Sequence, residues 1–319
     1  MQDPTRTTTR NPGPPTPADA GPDTGAGSSP TTRAIVLGGG GTAGIAWESG
    51  LLSALLAAGV DLGSADLVVG TSAGSSVAVR LRAGSLGTDS LRAEFSRGGE
   101  DDAARPASAS AAPPFDPEAF LQLMAEAAQG AQDERDGRAR IGARAASSSA
   151  AMSEEDWLAR IGHALPQDWP EGRLAVTAVD TADGGFTVFD ADGGVPLVRA
   201  VAASCTVPLV FPLVHIGDRA YMDGGMRSAT NADLAAGHDR VLVLSCNPEP
   251  PTSPFGPTLE QSLRLIEETG SALHLTADAA SHAAFGTNPL DPASRIPSFE
   301  AGLAQGRLLA DRVRQFWDA

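Results

Sequence analysis

The stretch Val68-Val69-Gly70-Thr71-Ser72-Ala73-Gly74-Ser75 constrains this chain more than any other. An apolar run leads into a serine with a glycine two residues before it and another two residues after it. A nucleophilic serine held on a sharp strand-to-helix turn needs small neighbours on both sides, and Gly70 and Gly74 supply them. The helix that begins near Ala73 offers its amino-terminal N–H groups to whatever Ser72 attacks. Serine also caps helices, and the two roles are compatible.

The surrounding pattern is that of an α/β domain. Ala34-Ile35-Val36-Leu37 is a continuous apolar run of the kind found in buried parallel strands. It enters a glycine-rich turn, Gly38 to Gly44, and then a helix with Ile45, Trp47, Leu51, Leu52, Leu55 and Leu56 at helical spacing, ending at Gly59. Asp66 to Val69 is the next strand, and the elbow helix runs to about Ala83. Short β-α-β-α connections of this type imply a mostly parallel sheet with helices on both faces, a three-layer α/β/α fold. Further strands are expected at Arg173 to Ala178, Phe186 to Phe189, Arg219 to Met222 and Arg240 to Leu244. Pro196 to Ser204 reads as a helix. A single helix is expected from Thr258 to about Ala284, followed by a last one carrying Leu303, Leu308, Leu309, Val313 and Phe316.

Two segments fall outside this pattern. Residues 1–32 contain seven prolines, no aromatic residue and no branched aliphatic. They cannot bury enough apolar surface to offset the cost of ordering, so a disordered tail is expected, with the domain spanning 33–319. Residues 97–151 read as a flexible insertion, with irregular Arg97–Pro114 and Arg138–Ala151 flanking a helix from Pro117 to Gln129. That helix either packs on the core or caps the site as a lid. Ser153 begins a further helix through a capping box.

The formal net charge is −16 and all 23 basic residues are arginine. Such an acidic chain is a poor partner for nucleic acid or for electrostatic docking on an anionic membrane. Cys205 and Cys246 are too few for a disulfide framework and read as buried thiols. With no apolar signal segment and no run of 18 apolar residues, a cytoplasmic protein is expected.

The glycine-rich turn admits two uses. Gly39, Gly41 and Gly44 satisfy G-x-G-x-x-G, the dinucleotide fingerprint, which wants an acidic residue at the end of the second strand. Here that strand ends in Gly70-Thr71-Ser72, and Asp66 lies at its start. A glycine turn beside an activated serine is better suited to an oxyanion hole. The base is less determined. None of the five histidines sits in a glycine-flanked loop at a strand end, although a triad through His215 or His238 remains open. Asp223, followed by Gly224-Gly225, does sit at a strand end. It reads either as a plain turn or as a carboxylate able to take the Ser72 proton directly.

Taken together, three blocks resemble the patatin-like phospholipases. They are Gly39-Gly40-Gly41-Thr42-Ala43-Gly44, Gly70-Thr71-Ser72-Ala73-Gly74 and Asp223-Gly224-Gly225, with Ala203 to Pro212 as a softer fourth. The resemblance implies a Ser72–Asp223 dyad without histidine and an oxyanion hole from the amides of Gly39, Gly40 and Gly41. It further implies an acyl-enzyme on Ser72, lipid ester substrates met at a membrane or micelle surface, and no cofactor or metal in the chemistry. Two positions depart from the pattern. Many members carry arginine where this chain has Ala43. The residue two beyond the asparagine that follows Asp-Gly-Gly is often proline, and here it is Asp233 after Asn231. A serine esterase with a triad, a nucleotide-binding regulatory module and a degenerate hydrolase fold acting as a binding protein are the competing expectations.

Overall fold

The computed structural model describes residues 30–104, 115–148 and 150–319. The expected tail up to residue 29, and residues 105–114 and 149 of the expected insertion, lie outside this set. Residues 31–319 form one unit.

The chain opens with β1 (Arg33–Leu37), α1 (Gly41–Ala57), β2 (Leu67–Gly70) and α2 (Ala73–Arg82). The helices α3 (Thr88–Ala104), α4 (Pro117–Ala128), α5 (Glu134–Ala146) and α6 (Glu154–Gly162) follow. The strands β3 (Arg173–Asp180) and β4 (Phe186–Phe189) come next, and then α7 (Leu197–Ser204), β5 (Val214–Ile216) and β6 (Arg219–Asp223). The chain closes with β7 (Arg240–Ser245), α8 (Leu259–Glu267), β8 (Ser271–Thr276), α9 (Ala279–Phe285) and α10 (Arg295–Trp317).

Among the described residues eight strands form one sheet in the order β5-β6-β3-β2-β1-β7-β8, with β4 paired to β3. β3, β2, β1, β7 and β8 are mutually parallel, while β4, β5 and β6 pair antiparallel at the β3 end. The parallel strands are apolar throughout because both faces are covered. Ile35, Leu37 and Val68 join the main cluster with Trp47, Leu51, Phe299 and Trp317 from α1 and α10. Ala34, Val36, Val69, Val241 and Val243 face the other way, onto Leu259 and Ile266 of α8. A third cluster gathers Leu123 and Ala127 of α4, Ile141 of α5, Met222, Met226 and Phe255. Burying each such large side chain is worth about 1.5–3 kcal/mol, and this sets the three-layer arrangement.

The segment expected as one helix from Thr258 to Ala284 is instead helix, strand and helix. Leu273 and Ala277 fit a helical spacing, but Leu273 and Leu275 also alternate with His274. Parallel pairing of Ser271–Thr276 along Arg240–Ser245 decides for the strand. The two ends of the expected insertion are also ordered differently. α3 continues past Arg97 to Ala104, anchored upstream by buried Leu91 and Phe95. Arg138–Ala146 lies within α5, whose amino end is capped by the Asp133 side chain at the Asp136 N–H. Alanine and arginine are strong helix formers, and buried Arg138 ties α5 down through the Gly184 and Phe255 carbonyls. Among the described residues no helix is long and apolar enough to cross a membrane.

Candidate active site

Two strands that never pair with each other are brought together by a third. β2 runs beside Arg173–Val176 of β3, with Gly70 opposite Val176. β6 runs the opposite way beside Ala178–Asp180, with Asp223 opposite Ala178. The carboxyl ends of β2 and β6 therefore converge on Thr177. The Thr177 hydroxyl pairs with the Thr71 hydroxyl at 2.9 Å. A Cβ on Gly224 would collide with the same threonine, so only glycine fits there.

Ser72 occupies the turn between β2 and α2 with φ 53° and ψ −121°. A non-glycine residue in that region carries strain of ~1–3 kcal/mol, which the surrounding contacts hold in place. The Ser72 N–H donates to Ser204 Oγ at 2.9 Å. Its carbonyl accepts from Ser75 Oγ at 2.6 Å and from Cys205 Sγ at 3.1 Å. Gly74 lies against the Leu37 carbonyl, where a Cβ would not fit. Although Ser72 is the N-cap residue of α2, its side chain makes no capping hydrogen bond. The hydroxyl donates to Asp223 Oδ2 at 2.6 Å instead.

Asp223 is buried, and its other oxygen, Oδ1, accepts the Gly225 N–H at 2.7 Å. Burial pushes its carboxyl up to about 7, against the lowering effect of the hydrogen bonds from Ser72 and Gly225. A carboxylate this close to neutrality is a competent proton acceptor.

The glycine loop joins β1 to α1 beside this pair. The Gly38 N–H lies 3.0 Å from Glu48 Oε1 and 3.1 Å from the Leu244 carbonyl. The Gly39 N–H donates to the Ala229 carbonyl at 2.8 Å. Among the described residues, no partner engages the N–H groups of Gly40, Gly41 or Ala73. Glu48 sits beneath the loop, fully buried, with Oε2 unpartnered and its carboxyl raised well above the usual range by burial.

The histidines are placed elsewhere. His215 pairs with Glu154 at 2.8 Å, and His238 Nδ1 lies 2.9 Å from the Ala235 carbonyl. His274, expected in a helix, is on β8 with Nε2 2.7 Å from Ser245 Oγ. None of them is hydrogen-bonded to Ser72 or Asp223. Asp66, the acid closest to a dinucleotide pattern, accepts the Arg33 N–H at the far end of the strand pair.

Against this geometry, the profile of the patatin-like phospholipase family matches residues 35–236. The chain belongs to the patatin-like phospholipase family. Membership places it among lipid ester hydrolases. Two solved structures are similar to it at low identity. VipD from Legionella pneumophila is 12% identical with a TM-score of 0.36, the match covering 88% of this chain and 67% of that one. The type III effector protein ExoU is 16% identical with a TM-score of 0.32, over 88% of this chain and 53% of its own. The chain thus spans about two thirds of the one and half of the other. No curated protein matches it.

The two departures of this patatin-like phospholipase have local causes. Ala43 is fully buried in the main cluster and its N–H donates to the Pro289 carbonyl, which leaves no room for a guanidinium. Asp233 forms a two-pronged ion pair with Arg227, at 2.7 and 3.0 Å. Arg227 also lies 4.0 Å over the Phe186 ring, and this pins the loop after Asp223.

Sequence reasoning undervalued Asn231. It is buried at φ 50°, and its Nδ2 lies 2.9–3.3 Å from Thr71 Oγ1, Thr177 Oγ1 and the Gly224 and Ser228 carbonyls. One amide thus ties the elbow, the central strand and the Asp223 loop together. Its place after Asp-Gly-Gly was the available signal. Ser204 and Cys205 lie in the softer fourth block, which here serves to hold the Ser72 backbone.

Proposed function

We propose that this protein hydrolyses fatty-acyl esters of lipids through a Ser72–Asp223 dyad. The observation that carries this reading is the 2.6 Å hydrogen bond from Ser72 Oγ to a buried Asp223 whose carboxyl titrates near neutrality.

Asp223 takes the Ser72 proton as Oγ bonds to the ester carbonyl carbon. The negative charge on the carbonyl oxygen is met by the unpartnered N–H groups of Gly40, Gly41 and Ala73, each such donor being worth roughly 3 kcal/mol. The Gly39 N–H, expected in this set, instead donates to the Ala229 carbonyl. Collapse breaks the bond to the alcohol, which leaves with the proton from Asp223. Water then attacks the acyl-enzyme, Asp223 accepting its proton and returning one to Ser72 Oγ.

Within this reading α4 caps the site. Phe120, Leu121 and Met124 line the cavity beside the glycine loop, and Leu121 is 67% exposed. An apolar side chain there suits contact with a lipid surface.

A fluorophosphonate probe tests the reading directly. Covalent labelling at Ser72, lost in Ser72→Ala, is expected. Labelling that survives the substitution would remove Ser72 from the mechanism.

A further inference from the structure

α1 carries a single ionisable side chain, Glu48, and the fold buries it completely. Glu48 lies one turn after Gly44 and two turns after Gly41, on the same face of the helix. A helical side chain leans toward the amino end of its helix and covers the turn before it. Gly44 has no side chain to stand in the way, so the carboxyl reaches the start of the glycine loop. There Oε1 accepts the Gly38 N–H at 3.0 Å. Oε2 has no partner among the described residues.

Gly38 is a junction. Its N–H also lies 3.1 Å from the Leu244 carbonyl, and its own carbonyl accepts the Gly74 N–H of the serine elbow at 2.9 Å. The residue held by Glu48 therefore fixes the glycine loop on one side and the first turn of α2 on the other. Cys246 backs the same loop, since a Cβ on Gly40 or Gly44 would collide with its Sγ. Burying a carboxyl with one oxygen unmet costs the fold stability. An apolar side chain of similar length on this face would cost less. Burial also favours the proton-bearing form. Oε1 then remains an acceptor, and no fixed negative charge lies beneath the Gly40 and Gly41 amides.

We propose that Glu48 is a positioning residue for ester hydrolysis: through Gly38 it sets the Gly40 and Gly41 N–H groups, where the oxyanion forms, relative to Ser72. This rests on the acyl-hydrolase reading above. Oxyanion donors act by being preset about 3 Å from where the charge will develop. That charge is present in the transition state and not in the bound ester, so slack in the loop lowers kcat and leaves KM nearly unchanged.

The test uses p-nitrophenyl butyrate with the full chain. Glu48→Leu should lower kcat about 10²-fold, the scale of one lost oxyanion donor, with KM within about twofold. Glu48→Gln keeps an oxygen acceptor for the Gly38 N–H and should recover most of the rate. An alkyl trifluoromethyl ketone, whose adduct with Ser72 places an oxyanion on the same amides, should bind Glu48→Leu more weakly by a similar factor and Glu48→Gln almost normally. Glu48→Met serves the same comparison if circular dichroism shows that Glu48→Leu is unfolded. A folded apolar variant with kcat within about threefold of the unaltered protein, or a Glu48→Gln protein as slow as Glu48→Leu, would overturn the assignment and leave the hydrolase reading standing. Failure of both apolar variants to fold, with Glu48→Gln folded, would make Glu48 a packing residue and overturn it too. Absence of hydrolysis in the unaltered protein would remove the hydrolase reading and this assignment with it.

Discussion

Ser72 and Asp223 are 151 residues apart in the chain, and 2.6 Å separates Oγ from Oδ2. β2, which leads into Ser72, and β6, which ends at Asp223, do not pair with each other. The contact exists because β3 pairs with β2 over its first half and with β6 over its second, in opposite senses. Removing either member of the pair should stop ester hydrolysis. Ser72→Ala and Asp223→Asn are each expected to lower kcat by about 10⁶-fold, the scale seen when a serine hydrolase loses its nucleophile or its proton acceptor. Circular dichroism and thermal melts should be close to those of the unaltered protein. His215→Ala and His238→Ala should stay active, since both rings are committed to other partners. A histidine variant as damaged as Asp223→Asn would restore a triad mechanism.

The pH–rate profile should report Asp223. The base works only when ionised, and burial raises its carboxyl to about 7. The value of kcat/KM for a soluble ester should therefore fall as pH drops through about 7 and be flat above it. A profile flat down to the ordinary carboxylate range would mean that Asp223 is not the group being titrated.

Asn231 should matter for both stability and rate. Asn231→Ala leaves the Thr71 and Thr177 hydroxyls and two carbonyls without their shared donor, at a cost of about 1–3 kcal/mol. It also removes a residue type suited to positive φ. Asn231→Gly restores the backbone freedom but not the amide. If the hydrogen bonds position the dyad, both variants should lose kcat, while Asn231→Gly loses less stability. Chemical denaturation and kinetics on the same preparations separate the two effects. Unchanged kcat in both would reduce Asn231 to a packing role.

Glu48 should make the fold lose stability as pH rises above the ordinary carboxylate range. Its folded carboxyl lies well above the unfolded value because burial disfavours the charged form. The associated stability is present below the unfolded value and is lost as pH rises through the raised folded one. Glu48→Gln cannot ionise, so as pH rises from the ordinary carboxylate range its melting temperature should fall less steeply than that of the unaltered protein. Parallel melting curves across that range would show that Glu48 stays uncharged or finds a partner on ionising.

Much of this was legible in the residues. Ala34–Leu37, Leu67–Gly70 and Arg240–Ser245 are apolar runs too short for helices, and they became parallel strands. Gly70 and Gly74 flank Ser72 because the turn has no space for a side chain, a local constraint that leaves its mark on the chain. The Ser271–Thr276 strand was hidden, since its leucines fit two periodicities and only the neighbouring β7 edge decides between them. The ordered parts of the expected insertion were hidden for a similar reason. Ala- and Arg-rich sequence carries little pattern until Ile141, Leu123 and Phe255 meet in one cluster.

Ser72 as the candidate nucleophile, the glycine loop and the layered α/β class could be read from the residues alone, because each depends on neighbours within a few positions. Only the folded chain brings Asp223 within hydrogen-bond reach of Ser72. Whether Asp223-Gly224-Gly225 is a turn or a base depends on its distance from Ser72 and on burial in a low-dielectric interior, and both come from the register of two strands on β3. The same holds for Asn231, Ser204 and Glu48. Their roles arise from contacts among segments far apart in the chain, which no local spacing encodes.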